Sequence, residues 1–134
     1  MAITFVGTGY VGLVTGACMG KIGNHLFCLD VNTARIEALQ RNKLPIYEPG
    51  LESLASNNQT QNRLMFTADL GQSLSNNDII FVTVGTPQRE NGSANLDYVW
   101  SIVDAICETA TESKLVVIKS TAAVGTSARV ETLQ

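Results

Sequence analysis

Gly7-Thr8-Gly9-Tyr10-Val11-Gly12 stands directly between an apolar run and the start of helical periodicity, and that placement restricts the chain more than any other feature. Residues 2–6 read as a short strand. After the glycines, Val11, Val14, Cys18 and Ile22 recur on one apolar stripe, which predicts a helix with those side chains turned inward. At such a junction the first glycine permits a tight turn and the second lets the backbone approach a pyrophosphate. The third brings helix and strand together, while free N–H groups at the helix start face an anion. A ligand-free glycine turn is the alternative. The flanking patterns and the acid downstream favour the nucleotide.

The rest of the chain repeats the same alternation. His25 to Leu29 is a second apolar run closed by Asp30, and Asn32 is placed to cap a helix whose Ile36 and Leu39 face inward. "LPIYEPGL" (44–51), with two prolines and a glycine, predicts an ordered loop entering a short helix that runs to about Asn57. A third strand is expected over Leu64 to Thr67. "DIIFVTVGTP" (78–87) is continuous and β-branched, as a strand buried on both faces must be, and is placed at Ile79 to Val84. Asn95 or Asp97 caps the next helix, in which Val99, Ile102, Val103 and Ile106 follow the i, i+3, i+4, i+7 rule. A fifth strand falls at 114–120, and from about Thr126 to Gln134 the first turns of a helix are expected, with Val130 and Leu133 apolar.

Strands alternating with helices predict an α/β, doubly wound parallel sheet, the Rossmann-type dinucleotide fold, in the order 3-2-1-4-5. With 134 residues the ceiling is one domain, 1–134. A dinucleotide fold normally has a sixth strand, for which no sequence is left, so the expectation is the N-terminal part of a longer protein. A formal net charge of −3 argues against a nucleic-acid partner. No apolar run is long enough to span a membrane and no signal peptide is visible, which makes the cytoplasm the default location. Cys18, Cys28 and Cys107 lack metal-type spacing and are odd in number, so they are expected to be buried structural thiols, with no metal site.

Asp30 lies near the offset of about 20 residues at which an acid accepts the adenosine ribose hydroxyls, and its charge would repel a 2′-phosphate. That favours NAD over NADP; the alternative is that Asp30 caps a helix. Arg35 is either a partner for the adenosine end or a solvated helix charge. Thr83, Thr86 and Pro87 stand at the carboxyl end of the fourth strand, and Ser120 and Thr121 at that of the fifth, the edge where open α/β sheets bind ligands. Hydroxyls there serve ligands or cap loops equally well. Glu48 is expected to cap the helix after it, with a cleft-facing position as the alternative. His25, at the opposite edge of the sheet, reads as structural.

Taken together, "GTGYVGLVTG", "LDVNTARIEALQ", "LPIYEPGL", "FVTVGTP" and "VIKSTAAVGT" resemble, in order and spacing, the nucleotide-sugar dehydrogenases of the UDP-glucose 6-dehydrogenase type. The resemblance covers the whole chain. It implies a four-electron oxidation of a sugar C6 hydroxyl to a carboxylate by two hydride transfers to two NAD⁺, through a Cys-bound thiohemiacetal and thioester. It also implies that Gly7, Thr8, Gly9, Tyr10, Val11 and Gly12 form the pyrophosphate loop, that Asp30 accepts the ribose and that Arg35 lies near the adenosine. By the same resemblance Val84, Thr86, Pro87 and Ser120 join the cofactor groove, and Thr121 touches the nicotinamide region and orders the catalytic hydroxyl and water. Ala122-Ala123 replaces the family's frequent Val-Pro, leaving that loop without proline's fixed φ. The family's nucleophilic Cys, its Lys and its main UDP-glucose contacts have no match here. The chain alone is therefore expected not to turn over, and the full-length protein to form a homodimer. Sibling enzymes acting on GDP-mannose or a UDP-N-acetyl-hexosamine, and a non-catalytic nucleotide-binding module, are the competing readings.

Overall fold

The computed structural model describes residues 1–132. In chain order they form β1 (Ala2–Val6), α1 (Tyr10–Lys21), β2 (His25–Leu29), α2 (Thr33–Gln40), α3 (Leu51–Thr60) and β3 (Leu64–Thr67). After these come α4 (Leu70–Asn76), β4 (Ile79–Val82), α5 (Asp97–Thr109), β5 (Leu115–Ile118) and α6 (Thr126–Glu131). All strand pairs are parallel, and the sheet order is β3-β2-β1-β4-β5, as the sequence predicts. Parallel neighbours cannot be joined by a hairpin, so every connection carries a helix across a face of the sheet.

β1 is the hinge of this order, because it pairs with β2 on one side and β4 on the other, Phe5 lying level with Cys28 and Phe81. Its alternate side chains divide the core. Ile3 and Phe5 join Leu13, Leu26, Ile36 and Leu39 on one face, while Val6 joins Leu74, Val82, Val99 and Ile106 on the other. The Phe5 and Phe81 rings stack at 4.8 Å. Thr4, fully buried, donates to the Ser73 carbonyl at 3.0 Å and accepts from Asn77 Nδ2 at 2.9 Å, so its hydroxyl is satisfied by the end of α4.

Several expectations need correction. The buried stripe of α1 is Gly12, Leu13, Gly16, Ala17 and Gly20, whereas Val11 and Cys18 are exposed and Ile22, just past the helix, is 77% exposed. Close packing of the helix on the sheet and on α3 selects small side chains: a Cβ on Gly16 would stand 3.2 Å from Cys28 Sγ in β2, and one on Gly20 would stand 2.8 Å from Asn58 Nδ2 in α3. Hydrophobicity alone picks the wrong face. Of the three thiols only Cys28 is buried, and Cys18 and Cys107 are exposed. α4 had no counterpart in the sequence reading, although Asp69 caps it through the Gln72 amide at 3.1 Å. β4 stops at Val82 rather than Val84 because the Thr83 side chain turns back to the backbone of β1, and β5 is shorter than 114–120. The expected α3 runs on to Thr60. Val130 packs against the second core cluster, while Leu133 and Gln134 lie outside the described residues. Among the described residues no helix is long and apolar enough to cross a membrane.

Candidate nucleotide-binding site

After Val6 the chain turns at Gly7, whose φ of +106° suits glycine, and a Cβ there would come within 2.7 Å of the Thr83 carbonyl oxygen. Gly12 is held as closely: its Cβ would overlap the Gly7 carbonyl and sit 2.7 Å from Thr83 Oγ1. Thr83 Oγ1 itself lies 2.9 Å from both the Val6 and Gly7 carbonyls, so this hydroxyl serves the turn. Gly9 is different. Its φ is −76° and nothing lies within 4 Å of its Cβ position, so no contact within the protein asks for glycine there.

Gly9 is also the N-cap of α1, without a side chain to cap it. Leu13 N–H closes the first helical bond onto the Gly9 carbonyl at 3.0 Å, which leaves the amides of Tyr10, Val11 and Gly12 for a partner outside the helix. An anion suits that position through both hydrogen bonding and the helix dipole.

At the end of β2 the Asp30 carboxylate, 11% exposed, faces this turn. Oδ2 accepts from Thr8 Oγ1 at 2.6 Å, from Thr8 N at 3.1 Å and from Arg35 Nη1 at 3.4 Å; Oδ1 accepts from Asn32 N at 3.0 Å. Burial pushes the carboxyl pKa up, but the Thr8 hydroxyl, the Asn32 and Thr8 amides and the Arg35 charge outweigh it and hold the pKa below the ordinary value. The cap of α2 is Asn32, whose Oδ1 accepts the Arg35 amide at 3.0 Å, so Asp30 is not a helix cap.

These groups form the polar wall of a cleft of about 510 Å³ at the carboxyl ends of β1, β2 and β4, where the connection leaving β1 runs towards β2 and the one leaving β4 runs the opposite way towards β5. Gly7, Thr8, Gly9, Asp30, Arg35 and Val84 line it. The sequence reading missed the apolar wall, which is supplied by Val6, Leu29 and Val31 from the first two strand ends, Leu70 from α4, and Tyr98 and Ile102 from α5. Its one available signal was helical spacing, since Tyr98 flanks the inward Val99 and Ile102. A slot with an apolar side, an acid and an open helix N-terminus has the chemistry to hold a base, a ribose and a pyrophosphate in that order.

Thr83 also lines the cleft, and the remaining predicted residues stand around it without lining it. Gly12 is buried beneath the turn, and Tyr10 and Val11 are exposed on the first turn of α1. Tyr10 donates to Glu48 Oε2 at 2.9 Å, and that carboxylate raises the phenol pKa by accepting a hydrogen bond from its protonated form and by its charge. Glu48 therefore ties the 44–50 loop to α1 and does not cap α3, whose N-cap is Gly50 with no side-chain bond. Ser120 Oγ donates to the Val84 carbonyl at 2.7 Å, which ties the ends of β4 and β5 together. Thr86 is half-buried, and Pro87 and Thr121 are exposed at the same edge.

Residues 1–134 match the UDP-glucose/GDP-mannose dehydrogenase family, NAD binding domain. The UDP-glucose 6-dehydrogenase of Pseudomonas aeruginosa is 42% identical over 98% of this chain and 29% of its own. In a ternary complex of GDP-mannose dehydrogenase from Pseudomonas aeruginosa, the fold superposes with a TM-score of 0.92 at 34% identity, over 97% of this chain and 30% of that one. A UDP-glucose dehydrogenase from Pyrobaculum islandicum gives a TM-score of 0.90 at 32% identity, over 98% and 32%. The chain thus spans less than a third of the length of each of these relatives.

Proposed function

The chain belongs to the UDP-glucose/GDP-mannose dehydrogenase family as its NAD-binding domain, and from that premise we propose that residues 1–134 are the cofactor half of a longer enzyme that oxidises UDP-glucose to UDP-glucuronate. The observation that carries the cofactor site is Gly9: open space beside an uncapped helix N-terminus, in a turn whose other two glycines are already required by protein contacts. A pyrophosphate fits that space. Asp30 receives the ribose, Arg35 stands at the adenosine end, and the apolar wall takes the base.

NAD⁺, when bound, supplies the hydride acceptor, with two consumed for each alcohol taken to a carboxylate. The chain's own residues bind and orient it. Thr121, exposed at the carboxyl end of β5, is proposed to touch the nicotinamide region and order the reacting hydroxyl and water, with Val84, Thr86, Pro87 and Ser120 shaping the groove. The thiol nucleophile and the sugar contacts are assigned to the remainder of the protein. Alone, this chain is proposed to bind NAD⁺ without turnover, and the whole enzyme to work as a cytoplasmic homodimer.

Support for UDP-glucose comes from relatives such as the Pseudomonas aeruginosa enzyme at 42% identity. A second reading has its own support, since a GDP-mannose dehydrogenase superposes at a TM-score of 0.92. Calorimetry with NAD⁺ and NADP⁺ tests the cofactor site, and absence of NAD⁺ binding refutes it. NADH formation by the full-length protein with UDP-glucose, GDP-mannose and a UDP-N-acetyl-hexosamine tests the substrate. Turnover of GDP-mannose alone would overturn the choice of UDP-glucose.

A further inference from the structure

We propose that Thr8 is a positioning residue that locks the Asp30 carboxylate and thereby makes this site distinguish a free ribose 2′-hydroxyl from a 2′-phosphate. This rests on the cofactor reading above and adds to it the residue that enforces the choice. Within the glycine motif Thr8 is the natural candidate for a phosphate contact, yet its side chain is fully buried. Both of its donors go to one atom: the hydroxyl reaches Asp30 Oδ2 at 2.6 Å and the amide reaches the same oxygen at 3.1 Å. A distance of 2.6 Å belongs to the short, charge-assisted class of O–H···O⁻ bonds. The single hydroxyl proton is therefore committed to the acid.

A carboxylate has about four acceptor positions, two on each oxygen. Thr8 fills both positions on Oδ2, and Arg35 Nη1 approaches the same atom at 3.4 Å. Oδ1 receives one donor, the Asn32 amide at 3.0 Å, and so keeps one position for a ribose hydroxyl on a side chain that lines the cleft. The negative charge is held at the place a 2′-phosphate would enter. Without the Thr8 hydroxyl the carboxylate can turn towards Arg35, whose side chain is 41% exposed, and both the hydroxyl acceptor and the repulsion lose their fixed position. Because Thr8 stands between Gly7 and Gly9, it also couples the ribose acid to the pyrophosphate turn.

Thr8→Val keeps the shape and removes the hydroxyl, while Thr8→Ser keeps the hydroxyl. Calorimetric titration of the wild type and both variants with NAD⁺ and NADP⁺ reads the preference directly. Thr8→Val is expected to weaken NAD⁺ and to reduce the NAD⁺ over NADP⁺ preference, each by about tenfold, with Thr8→Ser restoring the preference. A structural role alone would lower both affinities together, and an unchanged ratio in Thr8→Val overturns the proposal while leaving the cofactor reading intact. A wild type without NAD⁺ affinity overturns both. If Thr8→Val does not fold, Thr8→Ala removes the same hydroxyl with less bulk and is judged by the same ratio.

Discussion

Two glycines of one motif separate folding from binding. Gly12→Ala forces a methyl into the Gly7 carbonyl and Thr83 Oγ1, so it is expected to lower stability by about 2 kcal/mol or more and to lose cofactor binding with it. Gly9→Ala meets no protein atom, so its stability should stay within about 1 kcal/mol of the wild type while NAD⁺ affinity falls. Thermal melts paired with calorimetry check both, and an equally stable Gly9→Ala with full affinity would remove the argument for a pyrophosphate there. At this scale the sequence was informative about Gly7, Gly9, Asp30 and Asn32, because turn geometry, strand ends and caps are local properties. It could not reveal that the Thr8 hydroxyl meets Asp30, a contact made across 22 positions of chain that depends on how β1 and β2 align.

Among the elements, α1 teaches the most. Valines at helical spacing mark a face by hydrophobicity, but a helix crossing a sheet at close range is placed by what is small enough to let it approach. Gly16→Leu is therefore expected to destabilise by about 3 kcal/mol through collision with Cys28 and Phe5, whereas Ile22→Gln, exposed beyond the helix end, should stay within about 0.5 kcal/mol. Urea unfolding of the two variants decides between the faces, since the valine stripe predicts the opposite order. α2 was legible because its cap is a side chain: Asn32→Ala should cost about 1 kcal/mol in the same measurement. α4 was not legible, because in seven largely polar residues only Leu70 and Leu74 hold helical spacing, too short a run to establish a period, and its existence follows from the need to carry β3 over to β4.

For the molecule as a whole, sheet order and fold class were readable because buried parallel strands announce themselves as continuous apolar runs, and the order then follows from few alternatives. The apolar wall of the cleft was not, since it is assembled from four separate elements, β1, β2, α4 and α5. Two solution properties follow from the packing. Burial pushes the Cys28 thiol up to about 12, so Cys28 should resist a thiol reagent at neutral pH until the chain unfolds, while exposed Cys18 reacts in the native state. Asp30, whose pKa is lower in the folded chain than the unfolded value near 3.9, contributes stability that is complete above that value and is lost as pH falls through the folded one. Urea midpoints should drop below about pH 4, and Asp30→Asn should flatten that part of the curve. The central position of β1 also sets a timetable for synthesis. One edge of β1 pairs with β2 soon after it is made, but the other waits until residues 79–82 have emerged, so the nascent chain carries an open strand edge for most of that interval. Since both halves of the cleft meet on β1, a nucleotide can be gripped only after that edge has closed, and ligand capture reports that the second half of the sheet has arrived.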